Sequence, residues 1–262
     1  MTGTSVFLHS TGTGPVMWAG AGESVLAGTK KLAPANLGYA PNPVLARGTK
    51  VSAADDARAA LEAITLAAPE GPVHLFAHSY GGYVALLLAP MLGDRLRSMF
   101  LAEPVLFGAL AAATDLDDPA ASAEAKAFLD NRWFLDDEAR GGLEEWQEHF
   151  IDYWNRPGSW QRMPEPLRAH SLSVGWKMFQ EVRSCFYEAA SFDAHALPDV
   201  PVTVVRSERS PRASRAMAVE VAKRGRRTRV VELTGTGHMV PLTHPDKLVD
   251  AMVDHVRWRS SV

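Results

Sequence analysis

Hydrophobic and polar residues follow two different spacings along this chain of 262 residues. Short apolar runs with the composition of buried β-strands occur at residues 6–8, 31–36, 73–77, 98–102, 202–205 and 230–233. Longer segments, such as residues 53–67, repeat their apolar residues every three or four positions, as on one face of a helix. This alternation predicts an α/β fold with a mostly parallel β-sheet flanked by helices.

Local signals support several of these boundaries. Ser52 followed by Asp55 forms the sequence pattern of a capping box and predicts a helix start. Ser210 before Pro211 predicts a second helix start, with the serine as the cap. Pro34 weakens the strand prediction at residues 31–36, because proline has no N–H to donate to a neighbouring strand.

The strand pattern is interrupted in the middle of the chain. From residue 104 to residue 197 helical spacing dominates, for example at Leu143, Trp146, Phe150 and Trp154, which would share one helix face. We therefore expect a core domain made of residues 1–103 and 198–262, with a helical cap of residues 104–197 inserted into it.

The clearest chemical motif follows the strand at residues 73–77. There the sequence His78-Ser79-Tyr80-Gly81-Gly82 leads from a strand through a tight turn into an apolar helix. A serine on such a turn needs small neighbours two positions away on each side, and Ala77 and Gly81 meet that need. An incidental serine in a turn is the alternative, but the strand-turn-helix context favours a nucleophile at Ser79.

A candidate base lies near the C-terminus. His238 follows the strand at residues 230–233 within the glycine-containing segment 234–239. Imidazole titrates near neutral pH and can take a proton from a serine hydroxyl and later return it to a leaving group. Among the other eight histidines, His9 and His78 belong to strand-end motifs, where we expect structural roles. The remaining six have no comparable catalytic context.

Together these motifs make the chain resemble the α/β-hydrolases that carry a cap domain, in a layout similar to esterases and haloalkane dehalogenases. Residues 8–12 (Leu-His-Ser-Thr-Gly) are similar to the family's His-Gly-x segment, with Ser10 where the family usually has glycine. The resemblance implies an oxyanion hole formed by the amides of Thr11 and Tyr80, and it implies the chain order serine, acid, histidine.

The acid has two candidates. The family usually has an aspartate after the strand that follows the insertion, but Ser210 occupies that position and Glu208 lies two residues before it. Glu103, at the end of the strand at residues 98–102, matches the glutamate that some haloalkane dehalogenases use. We favour Glu103 and keep Glu208 as the alternative. Halide displacement is disfavoured, because Ser79 occupies the position of the dehalogenase aspartate.

The charge and composition of the chain argue against nucleic acid as a partner and against a membrane span. A formal charge of −3 creates no field that attracts nucleic acid, and the basic residues 223–229 are typical of a helix end at Gly225. The apolar run at residues 83–92 is about half the length of a membrane span and contains Pro90, so no membrane span is predicted. A single cysteine and no signal peptide pattern predict a cytoplasmic protein.

No metal or cofactor is expected, since no group of histidine, cysteine and aspartate residues has ligand spacing. The oligomeric state is not predicted. Five of the seven tryptophans fall in the expected cap: Trp133, Trp146, Trp154, Trp160 and Trp176. Any single one is more readily explained as part of the cap's own core, but as a group they suggest an apolar pocket.

We therefore expect a small hydrophobic acyl or aryl ester as the substrate. Thioesters, lactones, carbon–carbon bonds next to a ketone, acyl transfer to an alcohol and non-catalytic ligand binding remain alternatives.

Overall fold

The computed structural model describes residues 3–21, 25 and 28–260. Its strands all belong to one parallel sheet, in the spatial order β2-β1-β3-β4-β5-β6. In chain order the strands are β1 (Thr4–Leu8), β2 (Lys30–Leu32), β3 (Val73–His78), β4 (Leu96–Ala102), β5 (Val202–Ser207) and β6 (Thr228–Leu233). Each predicted strand is present, and the α/β fold class is confirmed.

The edge strand β2 is shorter than its apolar run suggested. It pairs with β1 from Lys30, opposite Thr4, to Leu32, opposite Val6. The strand ends before Pro34, which has no N–H to continue the hydrogen-bonded ladder.

Helices cover both faces of the sheet and fill the segment between β4 and β5. They are α1 (Ala53–Ala67), α2 (Tyr80–Leu92), α3 (Phe107–Ala112), α4 (Pro119–Asp130), α5 (Arg132–Asp136), α6 (Glu144–Trp154), α7 (Ser159–Arg162), α8 (Glu165–Ser173), α9 (Gly175–Tyr187), α10 (Arg212–Ala222), α11 (Val240–Thr243) and α12 (Pro245–Arg259). The predicted capping box at the start of α1 is confirmed, since Ser52 and Asp55 exchange both hydrogen bonds.

Alternating side chains of the strands form two cores, one on each face of the sheet. Leu8 and Leu75 point to the face covered by α1, α2 and α10. Phe7, Phe76 and Phe100 point to the other face, which α12 covers, with ring centroids 5.0 Å apart for the first pair and 6.0 Å for the second. Both faces of the sheet are therefore buried, as parallel sheets require.

The chain between β4 and β5 consists of α3 to α9, which agrees with the helical spacing of that segment. Trp146 and Trp154 of α6 are buried, but Leu143 precedes the first residue of the helix and is 49% exposed, so its placement on one helix face with them was wrong. Residues 104–197 stay our proposed cap. No helix in the described residues combines the length and the apolar character needed to cross a bilayer.

The start of α2 packs unusually close to β1. A Cβ atom on Gly81 would lie 2.4 Å from the carbonyl oxygen of Leu8, which is far below any permitted contact. At the next position, a Cβ on Gly82 would lie 2.8 Å from the Cα of Pro104. Both glycines are required because backbone, which cannot move aside, approaches them from two directions.

This contact makes a prediction about stability. Replacing Gly81 with alanine should lower the free energy of unfolding by about 1 to 3 kcal/mol, because the methyl group must push α2 away from β1. Urea denaturation would measure the change, with Gly20→Ala as the control, since a Cβ at Gly20 meets no atom within 4 Å. A Gly81→Ala protein as stable as the wild type would contradict the packing described here.

Candidate active site

The three side chains with predicted catalytic roles lie at the carboxyl edge of the sheet. Ser79 directly follows β3, Glu103 directly follows β4, and His238 lies in the loop after β6. Because all strands are parallel, their carboxyl ends share one edge, and residues far apart in sequence meet there. The structure thus brings together Ser79, Glu103 and His238.

Ser79 adopts a backbone conformation that non-glycine residues rarely take, with φ of 55° and ψ of −121°. Its N–H donates to the Ala102 carbonyl at 2.9 Å, and its own carbonyl accepts from the Gly82 N–H at 2.8 Å. Such conformations cost about 1 to 3 kcal/mol and persist only when neighbouring structure enforces them. Here the strand before Ser79 and the helix after it hold the residue at a sharp turn.

A continuous hydrogen-bonded chain connects the three side chains. The Oγ of Ser79 lies 2.9 Å from Nε2 of His238, and Nδ1 of His238 lies 2.8 Å from Oε2 of Glu103. All three residues are buried, with 5%, 2% and 0% of their surfaces exposed. Since a carboxylate can only accept, Nδ1 carries the ring proton and Nε2 is left to accept from the serine hydroxyl.

Glu103 is held by the strand beside it. Its backbone also has a positive φ, 49°, and its Oε1 accepts from the Ser207 N–H at 2.8 Å. Its Oε2 accepts from the Ser210 hydroxyl at 2.8 Å in addition to the imidazole. Three donors therefore compensate this carboxylate for the loss of water, as a buried carboxylate requires.

Ser210 has a different role from the one predicted. We expected its side chain to cap a helix, but no side-chain cap is present and α10 begins two residues later, at Arg212. The hydroxyl of Ser210 donates to Glu103 instead. The sequence did contain a signal for this role: Ser210 occupies the position where the family usually has its acid, and that position lies close to the catalytic histidine.

The alternative acid, Glu208, lies outside this chain. Its Oε2 accepts from the Gly235 N–H at 2.7 Å, on the loop after β6, and the residue is exposed. The nearby Arg206 pairs with Glu232, at 2.8 Å. Of the two candidate acids, Glu103 is the one that contacts His238.

The two predicted oxyanion residues, Thr11 and Tyr80, come from different parts of the chain and both lie near Ser79. Thr11, in the loop after β1, lines two cavities together with Ser79. Tyr80 is the first residue of α2, so its N–H belongs to the unpaired first turn of a helix. Ser10, the departure from the family's glycine, requires no special conformation, since the non-glycine residues with positive φ in the described chain are Ser79 and Glu103.

The first cavity beside Ser79 is apolar. Its walls come almost entirely from hydrophobic residues of the helices between β4 and β5, chiefly Phe107, Phe128, Phe134, Phe150, Tyr153 and Phe186. Val105, Val182 and Cys185 complete it, and burial raises the pKa of the Cys185 thiol.

The second cavity beside Ser79 contains His238 and has a mixed lining. Asn155, His170 and Ser171 contribute polar atoms, alongside exposed Leu242 and other apolar residues. Trp154 borders both cavities, and its indole stacks on the His238 imidazole with ring centroids 3.7 Å apart and planes 21° from parallel. The two cavities therefore meet at Ser79 beneath Trp154.

The tryptophans do not form the pocket as a group: of the five, Trp154 lines the cavities beside Ser79, and the other four have the structural roles that remained the alternative for each. Trp146 and Trp160 are fully buried within the helical segment, where the Trp146 indole donates to the Phe134 carbonyl at 2.8 Å. Trp176 donates to the Thr49 carbonyl at 2.8 Å, and Trp133 packs against His149. These side chains stabilise the helical segment, while phenylalanines supply most of the aromatic surface beside Ser79.

One group of possible metal ligands occurs in the described chain, and it overlaps with the site. The donor atoms of His78, Glu103 and His238 lie within 4.8 Å of one another. The His78 ring hydrogen-bonds to the His238 carbonyl at 2.8 Å, and burial holds its pKa well below the usual value. A metal ion there would have to replace the hydrogen bond between His238 and Glu103, so these residues cannot serve both arrangements.

Comparison with known proteins agrees with this architecture. The chain belongs to the alpha/beta hydrolase family, whose model matches residues 6–251. No match was found among curated proteins. The expectation of an α/β-hydrolase enzyme is thereby confirmed.

Solved structures with a similar fold come from several hydrolases. A thermophilic esterase from Thermogutta terrifontis has a TM-score of 0.72 and 18% identity, over 98% of this chain and 91% of that chain. The enol-lactonase from Burkholderia xenovorans LB400 has a TM-score of 0.65 and 17% identity, over 98% and 92%. The epoxide hydrolase CorEH has a TM-score of 0.67 and 17% identity, over 97% and 91%. At these identities the likeness concerns the fold.

Proposed function

We propose that this protein is a serine hydrolase that cleaves a hydrophobic carboxylic ester through an acyl-enzyme on Ser79. The observation that supports this most strongly is the hydrogen-bonded chain from Ser79 through His238 to Glu103. A hydroxyl at hydrogen-bonding distance from an imidazole, itself oriented by a buried carboxylate, is the arrangement that activates a serine.

In the first step, Nε2 of His238 takes the hydroxyl proton while the Oγ of Ser79 forms a bond to the ester carbonyl carbon. The carbonyl oxygen becomes an oxyanion, which the amides of Thr11 and Tyr80 would stabilise. Glu103, buried and acceptor to Nδ1, stabilises the imidazolium that forms. The indole face of Trp154 is also placed to favour this cation.

In the second step, the imidazolium gives its proton to the alkoxy oxygen, and the alcohol leaves. Water, deprotonated by His238, then attacks the acyl carbonyl carbon. The bond from that carbon to the Oγ of Ser79 breaks, the imidazolium returns its proton to Oγ, and the carboxylic acid leaves. Because His238 must reach the leaving oxygen, the alcohol belongs in the cavity that His238 lines. The acyl group then belongs in the apolar cavity on the other side of Ser79.

This arrangement favours ester cleavage over mere ligand binding, because a receptor has no need of an activated serine. The range of possible substrates stays wider than one ester, since the same three side chains can also cleave thioesters, lactones and carbon–carbon bonds next to a ketone. The same acyl-enzyme can also pass to an alcohol instead of water.

Substituting each of the two candidate acids in turn tests the mechanism. Glu103→Gln keeps the size of the side chain but loses the charge that stabilises imidazolium, and we expect kcat to fall on the order of 10³- to 10⁴-fold. Glu208→Gln is the matched control and should change kcat by less than about threefold. Steady-state hydrolysis of an activated aryl ester measures both, and loss of turnover in Glu208→Gln alone would refute the assignment.

Substrate preference tests the placement of the acyl group. Among esters of one alcohol, a hydrophobic acyl or aryl group should give a kcat/KM at least about tenfold above that of a charged analogue, because the apolar cavity offers no partner for a charge. A second series, with one acyl group and varied alcohols, serves as the comparison and should discriminate less between polar and apolar groups. Preference for charged acyl groups would contradict the proposed placement.

A further inference from the structure

A cluster of charged and phenolic side chains is buried beneath the loop that carries Thr11. We call Tyr39, Asp56, Tyr80, Lys177 and Glu181 the buried cluster, and each of its members is at most 1% exposed. Removing charges from water costs several kcal/mol per ion unless partners compensate them. Because packing alone does not require buried charges, we ask which part of the site the contacts of this cluster hold in place.

The charges of the cluster come from two separate parts of the chain. Asp56 lies in α1, whereas Lys177 and Glu181 lie on consecutive turns of α9, in the helical segment between β4 and β5. The Lys177 ammonium pairs with Asp56 and lies 3.4 Å from Oε1 of Glu181. One cation thus serves two carboxylates, and burial raises the pKa of Glu181 to about 7.

Two contacts connect Glu181 to the loop after β1. The Tyr39 hydroxyl donates to Oε2 of Glu181 at 2.8 Å and accepts from the Gly12 N–H at 2.9 Å. Burial raises the pKa of the Glu181 carboxyl, whereas the charge of Lys177 and the neighbouring Tyr39 and Thr11 side chains lower it. The peptide unit between Thr11 and Gly12 is therefore anchored from below by Tyr39.

Helix α9 also packs directly against the loop that carries Thr11 and Gly12. Gly12 has a φ of 72°, and a Cβ at this position would lie 2.8 Å from the terminal methyl group of Met178, which follows Lys177 in α9. The thioether thus covers the Gly12 backbone while Tyr39 binds its N–H. The Gly12 backbone, which directly follows Thr11, is therefore held between a hydrogen bond and a van der Waals contact.

The other predicted oxyanion residue is anchored to the same cluster. The hydroxyl of Tyr80 donates to Oδ2 of Asp56 at 2.6 Å, and that carboxylate also pairs with Lys177. Its second oxygen accepts from the Leu37 N–H at 2.9 Å. The chain of contacts from Gly12 through Tyr39, Glu181, Lys177 and Asp56 therefore ends at Tyr80, and it joins the loop after β1 to the start of α2.

We propose that Tyr39 and Glu181 are positioning residues that hold the Thr11 amide where the oxyanion develops, while the Lys177–Asp56 pair holds Tyr80 in register with it. This inference rests on the proposed serine hydrolase function. It makes α9 part of the oxyanion hole's support, so that the helical segment contributes to catalysis as well as to substrate binding. The precision required is high, because a shift of about 1 Å in a catalytic group can lower a rate about 100-fold.

Tyr39→Phe is the most direct test, since it removes the one hydroxyl that joins Gly12 to Glu181. We expect kcat on an activated aryl ester to fall about 10- to 100-fold, with KM within about threefold of the wild type, because the loss concerns the transition state. The affinity for a trifluoromethyl ketone, which forms a tetrahedral oxyanion on serine, should fall by a similar factor. The affinity for an uncharged competitive amide should stay within about threefold.

Two control variants separate positioning from structural support. Tyr187→Phe removes a tyrosine hydrogen bond at the exposed end of α9, the helix that carries Glu181, where the Tyr187 hydroxyl donates to Asp136 at 2.8 Å. Tyr83→Phe removes a hydroxyl from an equally buried tyrosine of α2, outside the cluster. Both should retain kcat and ketone affinity within about threefold of the wild type.

A pair of variants at Glu181 tests the same inference by conservative rescue. Glu181→Gln keeps an acceptor for the Tyr39 hydroxyl and should retain most of kcat, whereas Glu181→Leu should behave like Tyr39→Phe. Circular dichroism and urea denaturation establish that each protein is folded before its kinetics are compared.

The outcomes distinguish the two proposals. If the wild type forms a ketone adduct and Tyr39→Phe matches Tyr83→Phe in kcat and ketone affinity, the positioning role is refuted and the serine mechanism stands. If Tyr39→Phe lowers the affinities for the ketone and for the amide equally, the cluster only stabilises the binding site as a whole, and the positioning role is again refuted. If the wild type itself forms no adduct at Ser79, the proposed function fails, and the positioning role fails with it.

Discussion

The close approach of α2 to β1 is the constraint on which the rest of the site depends. With only hydrogen at Gly81, the helix can begin directly against the Leu8 carbonyl, and the chain must reverse sharply after β3 to reach it. The chain reverses at Ser79, which adopts a strained backbone conformation and is held by the hydrogen bond from its N–H to the Ala102 carbonyl. The strain places its side chain at the edge of the sheet, within reach of His238, instead of in a core.

The polar contacts at this edge of the sheet are strong because they are buried, and for the same reason each polar atom there needs a hydrogen-bonding partner. A buried carboxylate at Glu103 requires donors, and Ser207, Ser210 and His238 supply them from three different positions. Polar groups in such surroundings interact more strongly than in water, but each unpaired atom is costly. The same reasoning applies to the cluster around Lys177, which exchanges solvation for fixed contacts beneath the loop that carries Thr11.

Local patterns predicted the features that depend on neighbouring residues. The strands, the capping box at Ser52 and the turn at Ser79 follow from short-range spacing, and the structure contains each of them. Contacts between distant segments were beyond such patterns: Tyr39 and Glu181 are 142 positions apart, and Lys177 and Asp56 are 121 apart. Ser210 was assigned to a helix cap for the same reason, since its partner Glu103 precedes it by 107 positions.

The central claim is that Ser79 is an activated nucleophile in a pocket open to small acyl compounds, and covalent labelling tests it most directly. The folded protein would be treated with a fluorophosphonate probe, digested and mapped by mass spectrometry. The account predicts a single modified residue, Ser79, with labelling lost in Ser79→Ala and strongly slowed in His238→Ala. An unlabelled wild-type protein, or a label on another residue that persists in Ser79→Ala, would contradict it.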